Sequence, residues 1–183
     1  TYEGKYYQVN DLTIDPKPAQ QPHPPIWLGG GSMTFEKKYG QKVTNIEPVL
    51  KRIAKYAKTW VPHAPASLEM INSDWEKIQK FMGDFGRDPS DMSTVYNNWI
   101  YVLKPGENPE NAVPHFSTYS GMDLPYWQEY YLCGEAEQVA EKIADRVKAL
   151  GGCEWIVLNT LNWGDEQLEL VANEVLPLVE KAV

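Results

Sequence analysis

Pro22-His23-Pro24-Pro25-Ile26-Trp27-Leu28-Gly29-Gly30-Gly31-Ser32 is the stretch on which the reading of the fold turns. Prolines this frequent exclude a helix and a central strand, so the chain up to Pro25 reads as an extended lead-in. Ile26-Trp27-Leu28 is then a short apolar strand that ends abruptly in three glycines and a serine. A continuous apolar strand bounded by turn residues is what a parallel sheet covered on both faces requires.

Outward from this strand, elements alternate. Val49, Leu50, Ile53, Tyr56 and Ala57 recur at three-and-four spacing after Pro48, a residue suited to a helix start. Thr59-Trp60-Val61 reads as a second strand, closed by Pro62. Ser67 is placed to cap a second helix carrying Met70, Ile71, Trp75, Ile78 and Phe81, which gives way at Gly83. A third strand is expected from Met92 to Leu103, rich in β-branched and aromatic residues. The long aromatic, proline-punctuated stretch 107–131 reads as a functional loop or lid. A helix opening at Gly134-Glu135 and stopping at Gly151-Gly152 follows, then a strand at Trp155-Ile156-Val157-Leu158. A last helix begins near Asp165, its final turn disturbed by Pro177. The expectation is an α/β chain of about four parallel strands with helices, residues 1–183 forming one domain. A whole (β/α)8 barrel takes ~250 residues, so 183 make half of one or a small open sheet.

Composition narrows the function classes. Hydrophobic residues make up 43% of the chain and charged ones 23%, as in globular proteins. The net charge of −8 argues against nucleic acid. Lys51, Arg52, Lys55 and Lys58, the densest basic cluster, have the spacing of a solvated helix face. No apolar run approaches the ~20 residues of a membrane span, and Thr1-Tyr2-Glu3-Gly4-Lys5 carries no export signal, so a cytoplasmic protein is expected. The absence of an initiator Met suggests that the chain begins partway through a longer product. Cys133 and Cys153 read as reduced thiols, and three scattered histidines show no metal-ligand spacing.

Tyr2-Glu3-Gly4-Lys5-Tyr6-Tyr7, then Pro16-Lys17-Pro18-Ala19-Gln20 and Pro22 to Gly30, resemble the luciferase-like monooxygenase superfamily. So do Arg52 to Ala57 before Trp60, the Gly86-Arg87-Asp88-Pro89 turn, and the helix from Gly134 leading to Glu154 through Asn159. The superfamily includes FMN-dependent monooxygenases and deazaflavin-dependent reductases and dehydrogenases. The resemblance implies that this chain is the C-terminal half of a (β/α)8 barrel, strands five to eight. On that reading the N-terminal half is absent from this chain. It implies an FMN or deazaflavin cofactor, a small-molecule organic substrate, and a partner that is either that N-terminal half or a second copy of the chain in a homo-oligomer. Two departures stand out: residues 33–47 look like an insertion containing Lys37, Lys38 and Lys42, and Lys58-Thr59 stands where relatives often have an Asp before the Trp.

A glycine turn after a strand exposes backbone N–H groups and admits close approach by an anion. Gly30, Gly31 and Ser32 are therefore the leading cofactor-binding residues by resemblance; a turn needed only for backbone geometry is the alternative. His63 follows the second strand, at the end where deazaflavin relatives place phosphate or substrate contacts, and is either functional or a surface residue. Asn159, ending the last strand, is a candidate to face a flavin's carbonyls, against hydrogen bonding at the core's edge. Asn97, Asn98 and Trp99 lie within the third strand. Tyr119, Tyr126, Trp127, Tyr130 and Tyr131 form either an aromatic wall for an apolar substrate or, the preferred reading, packing. Arg87 and His23 are assigned structural roles, and His115 either lines a lid or packs. No Ser, Cys or Lys nucleophile stands beside a partner, so catalytic residues remain unassigned. The chain reads as a segment of an oxidoreductase or monooxygenase, with a non-catalytic half-barrel module as the rival.

Overall fold

The computed structural model describes residues 1–34, 45–117, 121–161 and 164–183, the side chain of Ser117 excepted. Lys37, Lys38, Lys42 and Tyr119 lie outside the described residues.

The lead-in opens with a small antiparallel hairpin, β1 (Tyr2–Glu3) and β2 (Gln8–Val9), closed by the Gly4 amide donating to the Tyr7 carbonyl at 2.9 Å. The sheet follows: β3 (Trp27–Gly29), β4 (Thr59–Val61), β5 (Ser93–Val102), β6 (Leu132–Gly134) and β7 (Trp155–Thr160), all parallel. β3 pairs with β4, β4 with the start of β5, and β7 with the middle of β5. Strands β3, β4, β5 and β7 thus follow one another across the sheet in chain order, as four consecutive strands of a barrel do. The extra strand β6, too short to read from sequence, pairs with the far end of β5 from Ile100 to Val102.

Register sorts the strand residues onto two faces. Leu28, Trp60 and Thr94 are in line, as are Tyr96 with Ile156 and Asn98 with Leu158. This face is covered by α1 (Glu47–Tyr56), α2 (Leu68–Asp84), α5 (Ala136–Ala149) and the C-terminal helices α6 (Asp165–Leu170) and α7 (Leu176–Ala182). Leu50, Ile53, Trp60, Ile71, Ile78, Tyr96, Ile143 and Val175 form its core. Tyr56, expected on the apolar stripe of α1, is instead exposed, its ring flanked by the Lys55 ammonium. The opposite face carries Trp27, Trp155 and Val157, which are 47%, 56% and 39% exposed. In a closed barrel that face points inward.

Local signals set the helix ends. Ser67 accepts from the Met70 amide at 3.2 Å. Glu135 and Gln138 form a capping box. Gly83 stays helical; α2 ends before Gly86, whose φ of 70° only glycine adopts without strain. Pro177 perturbs the last helix one turn earlier than expected: residues Val171–Val175 form a π-helical segment ahead of it. A proline has no N–H and its ring crowds the carbonyl four residues back, here Asn173, so the turn before it widens.

The stretch 107–131 departs most from expectation. Its described residues are not an irregular loop but hold the short helices α3 (Val113–Ser117) and α4 (Leu124–Tyr130). These build a second aromatic core of Tyr101, Phe116, Tyr126, Trp127 and Tyr131 over the C-terminal end of β5. Phe116 stacks on Trp127 at 4.0 Å and Trp127 on Tyr131 at 4.1 Å between ring centroids. His115 stacks on Tyr101 at 5.2 Å. Of the aromatic cluster, Tyr126, Trp127 and Tyr131 are thus buried in packing, and Tyr130 lies partly buried against them.

Candidate functional site

At the C-terminal ends of β3, β4 and β5, on the uncovered face, lies a cavity of about 220 Å³ lined by Gly29, Gly30, Val61, His63, Asn97 and Trp99 with neighbouring residues. Parallel α/β sheets place their ligands at this end, because the loops that follow the strands converge there.

The glycine turn is held from three sides. Gly30 has φ 146°, and its amide donates to the Val61 carbonyl at 3.1 Å. The indole of Trp60, wholly buried and stacked on Trp75, donates to the Gly30 carbonyl at 2.7 Å. A Cβ on Gly30 would stand 2.8 Å from Val49 Cγ1, and one on Gly31 2.9 Å from Asp74 Oδ2. Glycine is thus required here by conformation and by packing.

Ser32 turns toward α2. Both its amide, at 2.5 Å, and its hydroxyl, at 2.9 Å, donate to the Asp74 carboxylate, which is only 2% exposed. Thr34, just beyond, donates to the Pro65 carbonyl at 2.7 Å and meets the Tyr126 hydroxyl at 2.8 Å. The exit of the turn is thereby tied to the loop after β4 and to α4.

His63 lines the cavity. Burial pushes its pKa below the ordinary imidazole value, with the Asp74 carboxylate acting in the opposite direction. It therefore enters neutral solution as an uncharged ring with one donor and one acceptor. Asn159 sits on the same sheet face and donates to Asn97 Oδ1 at 2.8 Å and to the Asn98 carbonyl at 3.2 Å. It reaches the cavity through Asn97, which lines the wall. Asn98 points to the other face, where its amide donates to the Tyr96 hydroxyl at 2.7 Å. Trp99 lines the cavity and meets Tyr131 edge-on at 5.6 Å, so the aromatic core buttresses the wall.

Of the five cofactor-binding candidates, the structure brings Gly30 and His63 together at the cavity and Asn159 to its rim. Gly31 and Ser32 are drawn onto α2. Asp74 and the Trp60 indole were missed as parts of the site. The signal for Asp74 was present: it falls on the helix stripe between Met70, Ile71, Trp75 and Ile78, a carboxylate in a core position.

A larger cavity, about 470 Å³, opens at the opposite end of the sheet beside Trp75, Met92, Gly151 and Cys153. Burial pushes the Cys153 thiol upward, away from the nucleophilic thiolate, and this end of a barrel serves stability. Neither Arg87 nor His23 lines the cavity. Arg87 donates to the Ala54 and Ala57 carbonyls at 2.6 and 2.8 Å, the structural role expected of it. His23 lies exposed on the lead-in. Among the described residues no three His, Cys, Asp or Glu side chains gather as metal ligands would, and no helix is long and apolar enough to cross a membrane.

No family model matches the chain. Among curated proteins, 32 residues are 50% identical to the FMNH(2)-dependent dimethylsulfone monooxygenase of Pseudomonas putida, covering 18% of this chain and 9% of that protein. Among solved structures, an F420-dependent secondary alcohol dehydrogenase in complex with an F420-acetone adduct matches 98% of the chain with a TM-score of 0.71 at 18% identity. The monooxygenase RslO1 from Streptomyces bottropensis matches 96% with a TM-score of 0.66 at 17% identity. The chain spans about half of each, 55% and 54% respectively. The fold expected from the sequence is thus met: a parallel sheet with helices that matches about half of a barrel chain.

Proposed function

We propose that this chain is the back half of a flavin- or deazaflavin-dependent oxidoreductase or monooxygenase of a small organic molecule. The observation that carries the reading is the cavity itself: Gly30, His63, Asn97 and Trp99 converge at the C-terminal strand ends, on the sheet face that the helices leave bare. One neighbour that shares the fold is named as F420-dependent, and the short sequence match is to a protein named as FMNH(2)-dependent.

The residues fit part of such a cofactor. About 220 Å³ falls below the ~300–1,000 Å³ of a complete ligand pocket, so this half supplies one wall and the front half the other. Gly29 and Gly30 admit close approach, and Trp99 offers an apolar flank. The coupled amides of Asn97 and Asn159 offer hydrogen bonds in a fixed orientation, and neutral His63 donates or accepts a hydrogen bond at the cavity wall. When bound, the cofactor supplies hydride transfer or oxygen activation. The protein's residues orient it, exclude water and hold the substrate against it. Gly31 and Ser32 are assigned to the phosphate, on terms set by Asp74.

The partner in this reading is the front half of the barrel, whose edge strands pair with β3 and β7 and whose side chains cover Trp27, Trp155 and Val157. The exposure of those three residues also favours a second reading, a non-catalytic half-barrel that covers the same face with a second copy of itself.

The deciding experiment is an intact-mass measurement and visible absorption spectrum of the natively purified protein. A flavin-like or deazaflavin-like band, together with sequence completing the barrel, supports the enzyme. A lone 20.9 kDa species that stays colourless after either cofactor is added supports the self-associating module.

A further inference from the structure

The glycine turn bears on the proposed cofactor's phosphate in a way that its sequence does not disclose. A turn that holds a phosphate does so with free amide and hydroxyl donors. Here three of those donors are already taken. The Gly30 amide is spent on Val61, and the Ser32 amide and hydroxyl both go to one carboxylate, that of Asp74.

Asp74 presents an anion to the donor pair that a phosphate oxygen would use. Its Oδ2 would be 2.9 Å from a Cβ at Gly31, so the carboxylate packs directly against the turn. It is almost wholly buried, and among the described residues no Lys or Arg forms an ion pair with it. Bringing a phosphate to Ser32 therefore places two like charges together in a poorly solvated site, or breaks both Asp74 hydrogen bonds.

We propose that Asp74 is a specificity-determining residue of the cofactor site: its carboxylate holds the two Ser32 donors and thereby penalises a phosphate-bearing ligand relative to the same ring without phosphate. The inference rests on the cofactor reading above. Phosphate enters the turn only in exchange for the carboxylate, so Asp74 sets how strongly the phosphate contributes to binding. Loss of its charge should leave the ring's own contacts with Gly30, Asn97 and Trp99 unchanged.

The test uses the intact protein that carries this chain, with whatever completes its barrel, and measures dissociation constants by fluorescence titration. The probes are FMN against riboflavin, and the deazaflavin coenzyme against its phosphate-free chromophore. In Asp74→Asn the phosphorylated ligand is expected to bind at least about tenfold tighter, with the unphosphorylated one unchanged. Asp74→Ser, which keeps a hydroxyl beneath the turn, should give the same shift and stands in if the Asn variant does not fold. Equal changes for both ligands, no change, or weaker binding of the phosphorylated one would overturn the proposal and leave the cofactor reading standing, Asp74 then being only a brace of the turn. If no member of either pair binds the wild-type protein or the variants, the cofactor reading falls and this proposal with it.

Discussion

Gln167 shows how much one side chain carries. β7 pairs with β5 only as far as Ile100, and beyond that point the primary amide of Gln167 takes over. Its Oε1 accepts from the Val102 amide at 2.8 Å and its Nε2 donates to the Val102 carbonyl at 2.9 Å, standing in for a strand neighbour. Gln167 is 3% exposed, so water does not substitute for it. Gln167→Leu keeps the volume but orphans both groups, and about 2 to 5 kcal/mol of stability should be lost. A drop in the denaturant midpoint with unchanged slope checks this; a drop of under ~0.5 kcal/mol would show that the backbone finds other partners. Gln167 in a helical run of Asp and Glu gave no sign of this role. Asp74 did, because a carboxylate on an apolar stripe demands a partner, but which partner depended on how α2 crosses the glycine turn.

At the scale of the element, α1 and α2 depend on one another through a helix end. The last carbonyls of α1 have no partner within the helix, and Arg87, just past the end of α2, supplies the donors to Ala54 and Ala57. Arg87→Ala should cost about 1–3 kcal/mol, and Arg87→Lys should restore only part of it, because an ammonium does not fork between two carbonyls. Thermal unfolding of the three proteins settles the order, and full recovery by Lys would reduce the role of Arg87 to its charge. The positions of α1, α2, α5, β3, β4 and β7 were legible in apolar spacing and turn residues. β6 was not, because its three residues, Leu132-Cys133-Gly134, look like the end of one loop and the start of one helix. The helices α3 and α4 were equally hidden: five and seven residues are too short for periodicity to speak, and their aromatic packing, not propensity, holds them.

As a whole molecule, the chain is a five-stranded sheet with helices along one face and, short of the aromatic core at the end of β5, a second face left open. Trp155 projects from that face beside Val157, at the edge strand β7. Isolated at high concentration, the 183-residue chain should self-associate through it. Trp155→Ser should weaken that association by roughly tenfold or more, from the apolar area removed, without lowering stability comparably. Sedimentation over a concentration series measures this, and an unchanged dissociation constant would place the contact elsewhere. The class of the fold was determined by the sequence alone, since short apolar strands closed by glycine and proline and alternating with amphipathic helices admit a parallel sheet and little else. So were the turn at Gly29 to Ser32 and the cap at Ser67, because each depends on neighbours a few residues away or on the chemistry of a turn. Tertiary structure alone decided which side chains meet across the chain: Trp60 beneath Gly30, Asp74 on Ser32, Asn159 on Asn97, Gln167 on Val102. Those pairs are separated by 30, 42, 62 and 65 residues, and their meeting is set by strand register and helix crossing, which no local pattern encodes.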